Sequence, residues 1–257
     1  MKVTEATSGG ILGEGPLRPE VAQDLRRSLR GRPGWMAGIG INLVLAASYL
    51  AYYRSTANFP ERGLIYIGAA IAAWILADTL TTNQFGPEGD RVATALEGGV
   101  GIGRILLLKN LSLAVVLLII TLPISVAATA WVGHWGQLLD AVLVDLHVVL
   151  TWMALGNIVS VLLPYRPIAL KKRWRLRRTW FRWGIALGIP YALYLIVGWS
   201  SVPVQITAHG RRDVHPDLYA LLSVAWGIGY WIVGTLVAKQ LAEWRQDRLI
   251  RGLCRPN

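Results

Sequence analysis

Six apolar runs, nearly free of charged residues, constrain this chain more than any other feature. They cover residues 34–53, 63–85, 111–132, 138–163, 183–199 and 218–238. An α-helix rises about 1.5 Å per residue and needs roughly 20 residues to cross about 30 Å of hydrocarbon. Each run therefore predicts one transmembrane helix.

The overall composition agrees with this interpretation. Hydrophobic residues make up 54% of the 257 residues and charged residues only 16%, whereas soluble domains carry roughly 25% charged residues. A soluble core has no use for so much apolar sequence. The predicted fold class is an all-α membrane protein with six transmembrane helices preceded by an amphipathic interfacial helix.

The distribution of Lys and Arg predicts the orientation, because short loops rich in these residues stay in the cytoplasm. Of the 26 basic residues, 22 lie in segments 1–33, 86–109, 164–182 and 239–257, which six spans place on one side. Both ends of the chain are therefore predicted to be cytoplasmic. The net charge of +11 is mainly an orientation signal. Anionic lipid headgroups, and not a nucleic acid, are the partner expected beside the basic run 171–178.

The leader, residues 1–33, contains a predicted amphipathic helix from Pro19 to Arg30. Proline and an acidic residue suit the first helical turn. Apolar residues recur every four positions on one face, with arginines around the rest, so the helix is expected to lie on the inner membrane surface. A merely solvated basic leader is the alternative. The residues that define this helix are Val21, Leu25, Arg26 and Leu29.

A second cytoplasmic helix is predicted between the second and third spans. Pro87, Glu88 and Asp90 mark its start, and Gly98 with Gly99 its end. Such a rigid protrusion suits force transmission from a soluble partner, although an ordinary connector is the alternative. Two apolar residues four positions apart are expected to anchor that partner, and Glu88 and Glu97 to meet its basic or amide groups. The predicted coupling residues are Pro87, Glu88, Asp90, Arg91, Val92, Leu96 and Glu97.

Several short motifs resemble the permeases of type-2 ATP-binding-cassette exporters. The segment Asn83-Gln84-Phe85-Gly86 is followed by Glu88-Gly89, then by a predicted helix, and then by Lys109-Asn110-Leu111 at the opening of the next span. Residues 24–30 and 156–164 are also similar to family members. Leu108 stands where the family commonly has glycine.

This resemblance implies a transmembrane subunit of an exporter in the bacterial plasma membrane. The leader helix would be a connecting helix and the helix at 87–97 a coupling helix, both docking on a separate ATP-binding-cassette ATPase subunit. Two permease subunits, as a homodimer or a heterodimer, would form the substrate pathway between them. ATP and Mg²⁺ would bind the ATPase, so no cofactor is expected on this chain.

The chain's own motifs favour no enzymatic chemistry. The phosphate-binding pattern G-x-x-x-x-G-K-[ST] does not occur in the sequence, and neither does the zinc motif H-E-x-x-H. Gly98 to Gly103 is interpreted as a flexible hinge into the third span. The single cysteine, Cys254, excludes an internal disulfide. ATP hydrolysis is therefore predicted to come from a partner chain.

Polar residues inside the predicted spans are candidates for a substrate pathway, because ionisable groups in hydrocarbon are costly and usually face protein or water. Asp78, Asp145, His147 and Asn157 are the candidates. Hydrogen bonding between helices is the alternative role for each, and simple interface placement is the expectation for Asp140. A proton-coupled secondary transporter using Asp78, Asp145 and His147 is the alternative function, and a structural scaffold is a third possibility. The sequence does not identify the cargo.

Overall fold

A computed structural model gives the fold. The structure describes residues 15–30, 83–164, 192–197 and 216–254, together with residues 40, 44, 47, 48, 51, 52, 55, 68, 70, 73, 188 and 189. The predicted first, second and fifth spans lie largely outside the described residues.

The ordered elements within the described part of the chain are helices. In chain order they are α1 (Leu17–Arg30), a 3₁₀ turn (Gly86–Glu88), α2 (Gly89–Glu97), α3 (Ile102–Val132), a second 3₁₀ turn (Trp135–Gln137), α4 (Leu138–Leu162), α5 (Pro216–Trp244) and α6 (Gln246–Cys254). Three of these segments are long and apolar enough to cross a membrane: Ile102–Val132, Trp135–Leu162 and Leu221–Trp244. The described part of the chain is thus all-helical, with the character of a membrane protein.

Helix α3 begins nine residues before the predicted third span. Gly101 caps its start in an extended conformation, and Gly133 ends it at a φ of 82°, a left-handed conformation that glycine adopts without strain. Gly103 is helical, so the hinge predicted at Gly98 to Gly103 is corrected to a turn over residues 98–101. A helix of 31 residues is about 46 Å long. Its first turns therefore extend beyond a hydrocarbon core of about 30 Å.

Helix α4 is the most deeply packed of the three long helices. It contacts α5 along two glycines that lie seven residues, or two turns, apart. A Cβ added to Gly227 would lie 3.2 Å from His147, and one added to Gly234 would lie 2.7 Å from the Ala154 Cβ. Small residues allow such close approach between membrane helices. Large apolar side chains of α3 and α5 are exposed, among them Ile119, Ile232, Val233 and Leu236.

One end of the bundle is closed by the short helices α2 and α6. A core cluster joins Phe85, Val92 and Leu96 with the first turns of α3 and with Leu249 and Leu253 of α6. The sequence predicts a sixth span that ends at Ala238, with a tail after it. Instead, α5 continues to Trp244, and α6 follows as an amphipathic helix whose apolar face is buried against α2.

Candidate functional site

A buried ion pair fixes the leader helix to the third long helix. The Lys109 Nζ donates a hydrogen bond of 2.5 Å to the Asp24 Oδ1. Asp24 is 1% exposed and Lys109 is 4% exposed. Because a buried charge is costly unless it is paired and hydrogen-bonded, each residue depends on the other. The pair therefore connects α1 to the start of α3.

Residues 86–97, predicted to form a coupling helix and called the coupling segment below, join this pair through two more charges. The Glu88 Oε2 lies 3.3 Å from the Lys109 Nζ and 3.1 Å from the Arg91 Nη1, and Arg91 also lies 4.0 Å from the Asp24 Oδ1. Two carboxylates and two cations thus balance each other. We call Asp24, Glu88, Arg91 and Lys109 the charge clasp. It joins α1, the start of α2 and α3.

The electrostatics of Glu88 result from this arrangement. Burial raises the pKa of the Glu88 carboxyl. The charges and hydrogen bonds of Lys109 and Arg91 together lower it by a larger amount, so the pKa lies below its usual value of 4.5. Glu88 is therefore ionised at neutral pH. Glu88 contacts two cations of its own chain, and the expectation that it also meets a basic group of another protein stays a prediction.

Helix α2 has a buried face and an exposed face. Val92 is 0% exposed and Leu96 is 5% exposed, and both pack in the core with α6. The expectation that these two residues anchor a partner is corrected, because the chain's own tail covers them. The side chains of Asp90, Thr94 and Glu97 are exposed instead. Pro87 occupies the first 3₁₀ turn, and its side chain is not among those described.

Of the predicted leader residues, some pack against the bundle and others are exposed to solvent. Val21 packs against the cluster at the α2 end and Leu25 against a second cluster deeper in the bundle. Arg26 is exposed. Leu29 is helical, but its side chain is not described. The helix thus packs against protein, and its place on a membrane surface stays a prediction.

A chain of hydrogen bonds connects the coupling segment to two long helices. The Gln84 backbone N–H donates to the Ser160 Oγ at 3.0 Å, and the Gln84 side-chain amide donates to the Asn157 Oδ1 at 3.0 Å. Asn157 in turn donates to the Thr235 Oγ1 at 2.9 Å. We call these four residues the polar relay. Asn157, predicted as a pathway residue or a packing contact, joins α4 to both the coupling segment and α5.

The other candidate pathway residues contact different neighbours. Asp145 accepts a hydrogen bond from Ser125 of α3. The His147 Nδ1 lies 2.7 Å from the Ser223 backbone oxygen of α5. The two side chains therefore face separate helices, as expected for positions two apart on a helix. Asp78 lies outside the described residues.

Asp140, which the sequence places at the membrane interface, has a buried side chain that is 6% exposed. Within the described part of the chain, no group of three His, Cys, Asp or Glu residues is placed to hold a metal ion.

The sequence contains signals for both networks. Asp24 lies between Val21 and Leu25, so it occupies the apolar face of an amphipathic helix. Lys109 is flanked by apolar residues near the start of a long apolar run. A charge in such a place predicts a buried partner, but the identity of that partner depends on the tertiary fold. Gln84 and Thr235 give no comparable signal, because uncharged polar residues are common at helix ends and in spans.

Comparisons with protein-family models, with curated proteins and with solved structures found no match.

Proposed function

We propose that this chain is the transmembrane subunit of an ATP-binding-cassette exporter in the bacterial plasma membrane. A separate ATPase subunit drives it, and two permease subunits form the pathway. The observation that carries the proposal is the charge clasp. Its four charges join the leader, the coupling segment and the start of a long helix, the elements that a docked ATPase would have to move together.

The clasp supports force transmission because it makes three elements move together. Pulling α2 away from α3 separates Glu88 from Lys109, and pulling it away from α1 separates Arg91 from Asp24, so the movement breaks contacts between partly buried charges. A partner that displaces α2 therefore also displaces the start of α3. The exposed side of α2, with Asp90, Thr94 and Glu97, is the face on which the proposal places the ATPase.

The polar relay supplies a second connection into the bundle. Gln84 lies two residues before the 3₁₀ turn that opens the coupling segment. Its bonds to Ser160 and Asn157 reach α4, and Thr235 extends them to α5. Buried hydrogen bonds are costly to break without replacement. A movement of the coupling segment is thus expected to change the packing of α4 against α5.

The assignment of ATP hydrolysis to a partner subunit is based on the sequence. It contains no phosphate-binding loop, so the proposal assigns ATP and Mg²⁺ to the partner subunit. The chain itself contributes the pathway and the docking face, with both termini on the cytoplasmic side.

One observation favours a second candidate, the proton-coupled secondary transporter. Asp145 is 1% exposed and, within the part of the chain that the structure describes, its Oδ1 has no hydrogen-bond partner. A buried carboxyl of this kind is suited to carrying a proton within a membrane. However, Asp145 and His147 contact different helices, which does not favour direct proton exchange between them.

A pull-down of the ATPase on tagged chain from native membranes tests the docking face. We expect the double variant T94R/E97R to lose the ATPase, because both positions are exposed on α2 and take no part in the clasp. The matched control is Gln240→Arg, which adds a positive charge at an exposed position on α5 outside both networks. Retention of the ATPase by T94R/E97R at the wild-type level would contradict the proposed docking face. Cargo transport driven by a proton gradient without any ATPase would favour the second candidate.

A further inference from the structure

The corner between α5 and α6 carries a groove of about 440 Å³ whose lining includes Trp244, Arg245, Arg248 and Arg251. This volume lies within the range of roughly 300 to 1,000 Å³ typical of small-molecule sites. Neither the charge clasp nor the polar relay uses these residues. The groove is thus a feature that the proposed transport function leaves unexplained.

Arginines outnumber acids in the lining of the groove. Two acids, Glu243 and Asp247, also line it, but Glu243 lies 3.8 Å from Lys239. Among the residues that the structure describes, none forms an ion pair with Arg245, Arg248 or Arg251. With Glu243 and Asp247 counted, three arginines and two acids give the groove a net charge of +1. The groove is therefore net positive, which favours an anion over a cation.

The fold holds these arginines on the outside of the chain. Leu249 is 2% exposed and Leu253 is 1% exposed, and both are packed in the core with α2. With that face fixed, α6 cannot rotate to bury its other side. Arg248 and Arg251 are exposed, and their guanidinium groups are free to bind a phosphate in the bidentate manner that arginine favours.

The position along α5 indicates which phosphate is available. The charge-free part of the helix ends at Ala238, and Trp244 lies six residues further on, or about 9 Å along the helix. That level corresponds to the lipid headgroups and not to the hydrocarbon. Trp244 is 79% exposed, as is typical of a tryptophan at the membrane interface. Basic residues at such a level attract anionic headgroups.

We propose that the groove at the α5 to α6 corner binds the phosphate headgroup of an anionic phospholipid, with Arg248 and Arg251 contacting the phosphate and Trp244 lying among the headgroups. The bound lipid would brace α6, and through it α2. This inference goes beyond the transport function and does not depend on it, so either can fail alone.

The test is a lipid titration of the delipidated, detergent-solubilised full chain, followed by native mass spectrometry. The probes are short-chain phosphatidylglycerol, phosphatidylcholine of the same chain length, and inorganic phosphate. We expect wild type to bind phosphatidylglycerol in preference to the other two. The variant R248Q/R251Q should bind it on the order of tenfold more weakly, since each arginine near the headgroups contributes to binding.

The matched control is R26Q/R27Q, which removes two exposed arginines from α1. It should retain wild-type affinity. The unliganded unfolding midpoint of R248Q/R251Q should equal that of wild type, because both side chains are exposed. An equal loss in the two double variants would overturn the proposal in favour of general charge attraction. If inorganic phosphate binds as tightly as phosphatidylglycerol, the occupant is not a lipid. If R248Q/R251Q binds phosphatidylglycerol as wild type does but loses a protein partner, the groove is a protein-binding site and the proposal is overturned.

Discussion

At the scale of single residues, the contact between Lys109 and Asp24 governs the end of the bundle where α1, α2 and α3 meet. Both side chains are almost fully buried. A buried pair adds little over an apolar pair of the same shape, because desolvation offsets the attraction. The pair matters most when one partner is removed. The remaining buried charge then loses its shortest contact and keeps only one more distant counter-ion, Arg91 at 4.0 Å for Asp24 or Glu88 at 3.3 Å for Lys109.

Replacing Lys109 by methionine should therefore destabilise the protein by about 3 to 5 kcal/mol. The double variant D24L/K109M should recover much of that loss, because it leaves Glu88 and Arg91 as a balanced pair at 3.1 Å. Thermal unfolding in detergent measures both. A double variant as unstable as Lys109→Met would contradict the assignment of the cost to unpaired charge.

The lowered pKa of Glu88 predicts a dependence of stability on pH. A carboxyl with a lower pKa in the folded state stabilises that state while it is ionised. Its contribution is complete above pH 4.5, the usual value, and is lost as the pH falls through the lowered pKa. Wild type should thus be more stable than Glu88→Gln at neutral pH by a constant amount. The two unfolding midpoints should converge below pH 4.5, and a constant difference down to pH 3 would contradict this.

The candidate site could be predicted in part. The motif around Glu88 and the helix boundary at Gly98 are visible in the sequence because turn and cap residues act locally. The sequence does not show what covers the apolar face of α2. Val92 and Leu96 are four residues apart, and this spacing suits packing against another protein as well as against α6. Only the fold resolves that ambiguity, since α6 is distant in sequence.

At the scale of elements, the contact between α4 and α5 depends on the absence of a side chain at Gly234. An added Cβ would lie 2.7 Å from the Ala154 Cβ and 2.9 Å from Ala154 backbone atoms. Backbone does not move aside as a flexible side chain does, so the two helices would have to separate.

Gly234→Ala should therefore destabilise the α4 to α5 contact by about 1 to 3 kcal/mol, the usual cost of overpacking. The control is Gly229→Ala in the same helix, where an added Cβ has no neighbour within 4 Å among the described residues. That change should be neutral or stabilising by up to about 1 kcal/mol, because alanine favours helix. Comparable unfolding midpoints for the two variants would contradict this close packing.

The helix boundaries show which ends are predictable from the local sequence and which depend on tertiary contacts. The start of α4 at Leu138 agrees with the predicted span because hydropathy changes sharply there. Helix α3 begins nine residues earlier than the hydropathy predicts, because its first turns are stabilised by the core and the clasp and not by lipid. Helix α6 was not predicted, since nine residues at the end of a polar tail form a stable helix only when Leu249 and Leu253 find a core.

At the scale of the whole molecule, the proposed topology places the turn between α3 and α4 on the opposite side of the membrane from α2. Gly136 in that turn is exposed, with no neighbour within 4 Å of an added Cβ. Glu97 is exposed at the end of α2. In a Cys254→Ser background, Gly136→Cys should react with an impermeant thiol reagent in intact cells, and Glu97→Cys only after permeabilisation. Labelling of Glu97→Cys in sealed cells would reverse the orientation.

The proposed function is tested most directly by ATP hydrolysis in two purified preparations from native membranes. One is the chain alone, stripped of partners, and the other is the chain with its copurified subunit. We expect no hydrolysis by the chain alone. We expect hydrolysis by the complex, from a second protein that carries the phosphate-binding loop. Hydrolysis by the isolated, contaminant-free chain, or full transport activity of a preparation that contains no ATPase, would contradict the proposed function.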